Sequence, residues 1–389
     1  MKNGNSDVLK TIGLFNDSFP PIMDGVSLTT QNYAYWLQQK NQPVCVITPK
    51  SPSFSDNELF PVYRYSSIPI FGRKPYRFGL PHTDLSFRTT IDQIPFGLVH
   101  AHCPFSSGKI ALRISKKQKV PMVATFHSKY RDDFERSVHN KQIAKFMVKG
   151  IISFFEKADE VWISQDSVEE TIREYGFKGK LEVVPLGNDF TNTEPVDIIK
   201  KEARRNLNIP DNETVFLFVG QIIWEKNIQL IVESLALIND LPFKMYFIGL
   251  GYATSDLKLL ITKLGLSEKI KFIGLITERD ELKQYYAASN LFLFPSTYDT
   301  WALVVREAAA LCTPSLLVED STVSKIITDN FNGFLAKNSI ESFALKLREL
   351  VSNPELIKEV GLNASESITR SWESVAGEVL DRYHHLMKR

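Results

Sequence analysis

Four turns of this chain hold residues that can do chemistry, and each follows a run that reads as a buried strand. The richest is 295–310, after the run LFLF, where Asp299 precedes a helix and Glu307 lies two turns inside it. The backbone N–H groups of Ala302, Leu303 and Val304 open that helix and can hold phosphate oxygens. Glu307 faces inward in an otherwise apolar stretch, and an unpaired buried charge is expensive, so it needs a partner. A ribose diol would serve, since a carboxylate accepts two hydroxyl hydrogens. The alternative is a salt bridge to Arg306 or to another helix. A second turn, 218–227, ends at Lys226, which can serve as a point charge for a diphosphate or be an ordinary surface lysine.

The other two turns lie in the first half. In 125–131, His127 stands at the carboxyl end of a buried run and can hydrogen-bond a sugar hydroxyl or a developing charge. A structural histidine satisfied by backbone is the other reading. Lys129 and Arg131 beside it suit an anionic ligand. His100 and His102, in LVHAHCPF, compete for the same role. No carboxylate lies beside them at metal-ligand spacing, so zinc is not expected. In 16–26, Gly25 lets a ligand approach the backbone at a helix start, where free N–H groups favour an anion such as pyrophosphate. A single glycine is not G-x-G-x-x-G, and an ordinary strand-to-helix loop fits as well.

The elements that must position these turns alternate along the chain. The pattern predicts strands over 8–15, 44–48, 97–100, 121–126, 160–163 and 181–184. It predicts helices over 25–40, 83–93, 107–118 and 167–175, a long helical region over 132–157, and irregular chain to about 81. The segment 185–195, rich in Pro, Gly, Asn, Asp and Thr, reads as a linker. The alternation restarts with strands over 214–219, 244–248, 270–272, 291–294 and 315–318, the last completing a second sheet, and ends in helices over 339–352, 354–368 and 372–387. Such alternation predicts parallel sheets covered on both faces, one in each half, with ligands outside the carboxyl ends of the strands.

The chain has 389 residues, about right for two domains of roughly 150–200 residues. Hydrophobic residues make up 43% and charged residues 23%, the balance of a globular protein, and no apolar run approaches a membrane span. The start lacks the marks of a signal peptide. Three dispersed cysteines, Cys45, Cys103 and Cys312, argue against a disulfide framework and fit a reducing cytoplasm. The net charge of +1 is uneven: residues 109–157 carry 12 basic and 4 acidic side chains. Those bases are either solvated helix faces or a surface that meets something anionic, a membrane or a phosphorylated acceptor.

The spacing Asp299-x7-Glu307 within LVVREAAA resembles the E-x7-E element of the family 4 retaining glycosyltransferases. DSFPPIMDGV is similar to their N-terminal loop, VATFH to their His strand, VVPLGNDF to their linker, FVGQIIWEKN to their phosphate loop, and NGFLAKN to the segment after their last core strand. The resemblance covers nearly the whole chain. It implies the α/β GT-B architecture, two doubly wound Rossmann-like domains facing each other across a cleft. Residues 1–189 would form the acceptor-side domain, with helix 371–389 packing back on it, and 190–370 the donor-binding domain.

By that resemblance His127 and Asp299 would meet the transferred sugar. Gly25, Val26, Lys226 and the α-helix start Ala302, Leu303 and Val304 would lie on the diphosphate, Glu307 on the ribose, and Ile276 beside the base. Gln221 stands where the family has an Arg, Asp299 is one methylene shorter than the family Glu, and Trp301-Ala302 replaces Phe-Gly. Asp17, Lys129 and Arg131 are candidates for the acceptor side. The implied reaction is metal-independent hexosyl transfer from a nucleotide-sugar, UDP-linked first of all, to a glycan, lipid-linked or glycolipid acceptor. No nucleic acid is expected as partner. A non-catalytic sugar-nucleotide-binding subunit or a nucleotide-sugar epimerase are the alternatives. The stretch 137–155 mixes Lys141, Lys145 and Lys149 with Phe146, Met147, Ile151, Phe154 and Phe155, which suits either a core-facing helix with wet lysines or peripheral contact with the inner face of an anionic membrane.

Overall fold

The computed structural model describes residues 10–389 apart from 53, 71–74, 139, 191–194, 300 and 301. The chain divides into two compact units, residues 10–187 with 372–389, and residues 188–371.

The first unit runs through β1 (Thr11–Phe15), α1 (Gly25–Gln39), β2 (Val44–Pro49), β3 (Val62–Tyr65), β4 (Ser67–Pro69), β5 (Arg77–Gly79), α2 (Leu85–Gln93), β6 (Phe96–Ala101), α3 (Ser106–Gln118), β7 (Met122–Phe126), α4 (Tyr130–Val138), α5 (Lys141–Phe155), β8 (Glu160–Ile163), α6 (Ser167–Glu174) and β9 (Leu181–Val183). Its main sheet has the order β3-β2-β1-β6-β7-β8-β9, with every pair parallel. A parallel sheet covered on both faces demands apolar residues at successive positions. Accordingly β2, β6 and β7 are buried throughout.

The second unit runs through α7 (Val196–Asn206), β10 (Val215–Val219), α8 (Ile228–Leu237), β11 (Lys244–Ile248), α9 (Thr254–Lys263), β12 (Ile270–Gly274), α10 (Arg279–Ala288), β13 (Leu291–Phe294), α11 (Leu303–Ala310), β14 (Ser315–Val318), β15 (Phe334–Ala336), α12 (Ile340–Val351) and α13 (Pro354–Ile368). Its sheet has the order β12-β11-β10-β13-β14-β15, again all parallel. The closing helix α14 (Trp372–Met387) belongs to the first unit. Its Tyr383 ring stacks on Trp162 with centroids 5.5 Å apart, and Trp372 meets Tyr33 edge-on at 5.6 Å.

In both sheets the strand order reverses beside the first strand. β1 lies between β2 and β6, and β10 between β11 and β13. The connections leaving each such pair depart to opposite faces, which opens a crevice at the carboxyl ends.

The structure corrects several expected boundaries. The chain expected to be irregular up to residue 81 contains β3, β4 and β5, with β4 and β5 forming a small antiparallel pair. The helical region expected over 132–157 is two helices, because the Asn140 side chain accepts from the N–H groups of Gln142 and Ile143 at 2.9 and 3.2 Å and starts α5 afresh. Likewise Asp84 caps α2, accepting from Phe87 N–H at 3.0 Å, so the helix expected from 83 begins at Leu85. Helix α7 and strand β15 were not anticipated. β15 extends the second sheet beyond β14, which does not complete it. Residues 8 and 9 of the first expected strand, 191–194 of the linker, and Trp301 lie outside the described residues.

Candidate active site

In the second unit the sequence candidates gather at the β10/β13 switch point. β10, β11 and β12 reach their ends on Gly220, Gly249 and Gly274, with φ of 149°, 132° and 92°. A Cβ on Gly249 would collide with the Gly220 carbonyl, so glycine is what allows these backbones to crowd as they turn. The loop after β10 carries the exposed Gln221 and then Lys226. The Lys226 ammonium donates to both oxygens of Asp299, at 2.7 and 2.8 Å. Ser296 Oγ donates to the same carboxylate at 2.6 Å. Lys226 also lies 5.1 Å over the Phe294 ring. With side chains 12% and 19% exposed, the pair is sheltered, and Lys226 is not an ordinary surface lysine. It spans the switch point, one partner following β10 and the other β13.

Asp299 leads into α11. Ala302, the residue before the helix, has a φ of 44° and its carbonyl accepts from Val305 N–H at 3.0 Å. The N–H groups of the helix's first turn, Leu303 and Val304 among them, have no acceptor within a helix by its geometry, and they carry the positive end of its dipole. Ile276 follows β12, half-buried against the core of the unit.

Glu307 is 1% exposed. Oε1 accepts from Arg279 Nη2 at 2.5 Å and Oε2 from the Tyr286 hydroxyl at 2.8 Å. Arg279, at the start of α10, also donates to both oxygens of Asp189 at 2.7 and 2.6 Å. Its guanidinium lies 4.5 Å over the Phe190 ring. Burial works against that charge, but Glu307 and Asp189 outweigh it and hold the guanidinium above its ordinary value. Of the partners considered for Glu307, a salt bridge to another helix is present. Sequence reasoning missed Arg279, since nothing local marks a basic residue at a helix start as the partner of a carboxylate on the next helix.

In the first unit the candidates follow β1, β6 and β7. Asp24 caps α1, accepting from Val26 and Ser27 N–H at 3.0 and 2.8 Å. Gly25 is exposed with open space in front of it, where a Cβ would meet nothing within 4 Å. Asn16 ties this helix start to the sheet, donating to the Val26 carbonyl at 3.2 Å and Thr30 Oγ1 at 2.9 Å. Asp17 points at the start of α3. It accepts from Ser107 N–H at 3.1 Å, Ser107 Oγ at 2.8 Å, Tyr65 OH at 3.0 Å and Ser106 Oγ. Burial raises its carboxyl above the usual range, although the serine hydroxyls pull the other way.

The histidines expected to compete form one linked set. His127 Nε2 lies 3.1 Å from His102 Nδ1. The His102 ring packs on His100 with centroids 4.1 Å apart. His100 is held by the Tyr383 hydroxyl at 2.5 Å and Thr125 Oγ1 at 2.7 Å. Burial pushes His127 down to about 3 and the other two well below their ordinary value. All three are therefore neutral at physiological pH, and His127 is a neutral hydrogen-bonding group, not a cation. Lys129 is half-buried. Arg131 is engaged with α6 and its end, stacking 4.7 Å over Tyr175 and donating to the Glu174 carbonyl at 3.2 Å. The three cysteines are free thiols. Among the described residues no group of three His, Cys, Asp or Glu side chains is placed to hold a metal ion, and no helix is long and apolar enough to cross a membrane.

Solved structures share this architecture across nearly all of the chain. Sucrose-phosphate synthase from Thermosynechococcus elongatus superposes with a TM-score of 0.82 at 20% identity, covering 97% of this chain and 99% of that one. Anabaena Alr3699/HepE, solved in complex with UDP and glucose, gives 0.78 at 18% identity over 97% and 99%. The fold is that of the GT-B glycosyltransferases, two Rossmann-like domains in one chain. The family model described as Glycosyltransferase Family 4 matches residues 23–191, and that described as Glycosyl transferases group 1 matches 199–367. An alpha-monoglucosyldiacylglycerol synthase of Streptococcus pneumoniae is 26% identical over 351 residues, 89% of this chain and 79% of that protein. The chain belongs to the family 4 glycosyltransferases, and it is an enzyme of that class.

Proposed function

We propose that this enzyme moves a hexosyl group from UDP-hexose to a lipid-borne acceptor of the diacylglycerol or glycolipid kind, retaining anomeric configuration, at an anionic membrane surface. The observation that carries the reading is the meeting of Lys226, Asp299 and the start of α11 at one switch point. Two sources of positive potential there, the Lys226 ammonium and the start of α11, suit a departing diphosphate. The helix start offers backbone N–H groups to its oxygens. Lys226 exchanges an Asp299 oxygen for a phosphate oxygen, and Asp299 turns to the hydroxyls of the sugar. Glu307 uses one acceptor direction on each oxygen for Arg279 and Tyr286, and a carboxylate has about four, which leaves capacity for a ribose diol.

The bond from the anomeric carbon to the diphosphate oxygen breaks as the acceptor oxygen approaches the same face. The transition state is cationic at the sugar, and the leaving diphosphate takes the acceptor proton. Catalysis is then positioning plus stabilisation of charge developing on the phosphate, which calls for no carboxylate pair as acid and base. His127, neutral, hydrogen-bonds a sugar hydroxyl. Residues 188–371 hold the donor and residues 10–187 the acceptor, with Asp17 setting the loop that follows β1 and Lys129 and Arg131 on its acceptor side.

The donor assignment is supported by the UDP and glucose held by Alr3699/HepE. The acceptor assignment is supported by the name of the pneumococcal relative and by α5. That helix buries Ala144, Val148, Ile151, Ile152 and Phe155 and turns Phe146, 76% exposed, and Ile143 outward among Lys141, Lys145 and Lys149. Exposed apolar side chains ringed by lysines suit an anionic lipid interface. The test is glucosyl transfer from UDP-glucose to diacylglycerol in anionic vesicles, compared with Asp299→Ala and His127→Ala. Lipid product that both variants lose supports the reading. Binding of UDP-glucose with no release of UDP would make the chain a non-catalytic binding subunit, and a changed sugar without acceptor would make it an epimerase.

A further inference from the structure

We propose that His102 is a positioning residue for His127, holding that imidazole in the tautomer that carries its proton on Nδ1. The inference rests on the reading of His127 as the group that meets the transferred sugar.

β6 and β7 are adjacent parallel strands, and His102 and His127 each follow the end of one. His102 is fully buried, so it touches no substrate. Its backbone is anchored by a hydrogen bond from its N–H to the Phe15 carbonyl at 2.8 Å. Its ring is wedged between His100, 4.1 Å away, and Tyr33, 5.7 Å away and edge-on. His100 is fixed at both nitrogens. The neighbouring rings hold the plane of the His102 imidazole, and its hydrogen bond selects the edge it presents: Nδ1 lies 3.1 Å from His127 Nε2.

Two neutral imidazoles sharing one hydrogen bond allow two arrangements. Among the described residues His102 Nε2 is buried without a hydrogen-bond partner. If it carried the proton, a strong N–H donor would sit in the core with no acceptor, and orphaned buried N–H groups are rarer than under-used acceptors. The favoured arrangement puts the His102 proton on Nδ1, donating to His127 Nε2. The His127 proton is then on Nδ1, and that atom is a fixed donor for a sugar hydroxyl. Burial keeps both rings uncharged, so no second proton blurs the assignment.

The experiment combines 15N histidine NMR on the full-length protein with steady-state kinetics on UDP-glucose. Wild-type His102 and His127 are expected to show protonated Nδ1 and bare Nε2. His102→Phe should free the His127 tautomer and lower kcat by about 10–100-fold, with KM for UDP-glucose changed by less than about twofold. His102→Asn, whose amide nitrogen takes the place of Nδ1, should recover kcat to within about threefold of wild type. A wild-type His127 protonated on Nε2 overturns the proposal, as does an equal loss in the Phe and Asn variants, which would mark a packing role. Should His102→Phe fail to fold, the wild-type spectrum and the Asn variant still decide. Full turnover by His127→Ala would instead remove the reading of His127 itself, while the spectra continue to test its tie to His102.

Discussion

Arg279 Nη2 stands 2.5 Å from Glu307 Oε1, and the same guanidinium holds both oxygens of Asp189. One cation thus joins α10, α11 and the segment where the chain enters the second unit. Removing one member of a buried pair leaves the other charge uncompensated, which costs more than the pair contributes. Arg279→Leu is expected to destabilise the protein by about 3 kcal/mol in urea unfolding. The double variant Arg279→Leu with Glu307→Gln should regain at least half of that loss. Glu307→Gln alone should weaken UDP-glucose through KM more than kcat, as befits a ribose contact.

The Lys226–Asp299 pair separates structure from catalysis in a second way. Lys226→Ala should lower kcat/KM by about 10²–10³-fold if the ammonium faces the leaving phosphate. It should also destabilise the free protein by about 2 kcal/mol, since Asp299 loses its cation and keeps, among the described residues, the neutral Ser296 hydroxyl as its side-chain partner. Adding Asp299→Asn should restore the stability and leave the activity low. Recovery of both together would reduce the pair to a structural role.

Acid should act through the histidines. Unfolded, each titrates near 6.5, whereas folded His127 titrates at about 3 and His100 and His102 lie well below 6.5. Between those limits the unfolded chain binds protons that the folded chain refuses. Stability is therefore complete above about pH 6.5 and falls as the pH drops toward 3, by about 1.4 kcal/mol per pH unit for each such group. Unfolding free energies at pH 7.5, 6 and 5 should show uptake of more than one proton, reduced by about one in His102→Phe. The pH profile of kcat/KM should contain no ionisation of His127 near neutrality.

The outward face of α5 makes a salt-dependent prediction. Lys145→Glu with Lys149→Glu should cut partitioning onto phosphatidylserine vesicles by at least tenfold, on the basis of about 1 kcal/mol for each basic residue near an anionic surface. Phe146→Ser should weaken binding further at high salt, where only insertion remains. Vesicle binding that ignores both salt and these changes would exclude α5 as the contact.

Much of this was written in local pattern. Alternating apolar runs and amphipathic stretches announce two parallel sheets, because period is a property of neighbours in sequence. The loops that carry chemistry were legible for the same reason: a strand end, a helix start and a charged side chain lie within about ten residues of one another. Some short elements were not. The three-residue β9 was legible from its place in the alternation, after α6, whereas β4, β5 and β15, equally short, stand outside that alternation and exist because neighbouring backbone offers them hydrogen bonds.

Partnership was the other thing withheld. Lys226 and Asp299 are 73 residues apart, Arg279 and Glu307 are 28 apart, and His102 and His127 are 25 apart. The order β12-β11-β10-β13 brings the first pair face to face, and adjacency of β6 and β7 joins the histidines. By itself the sequence determined which residue types stand at the carboxyl ends of the strands, and with them the family. The tertiary structure alone decided that Glu307 answers to Arg279 and that Lys226 answers to Asp299, because a buried charge takes the partner that packing sets beside it, wherever that partner lies along the chain.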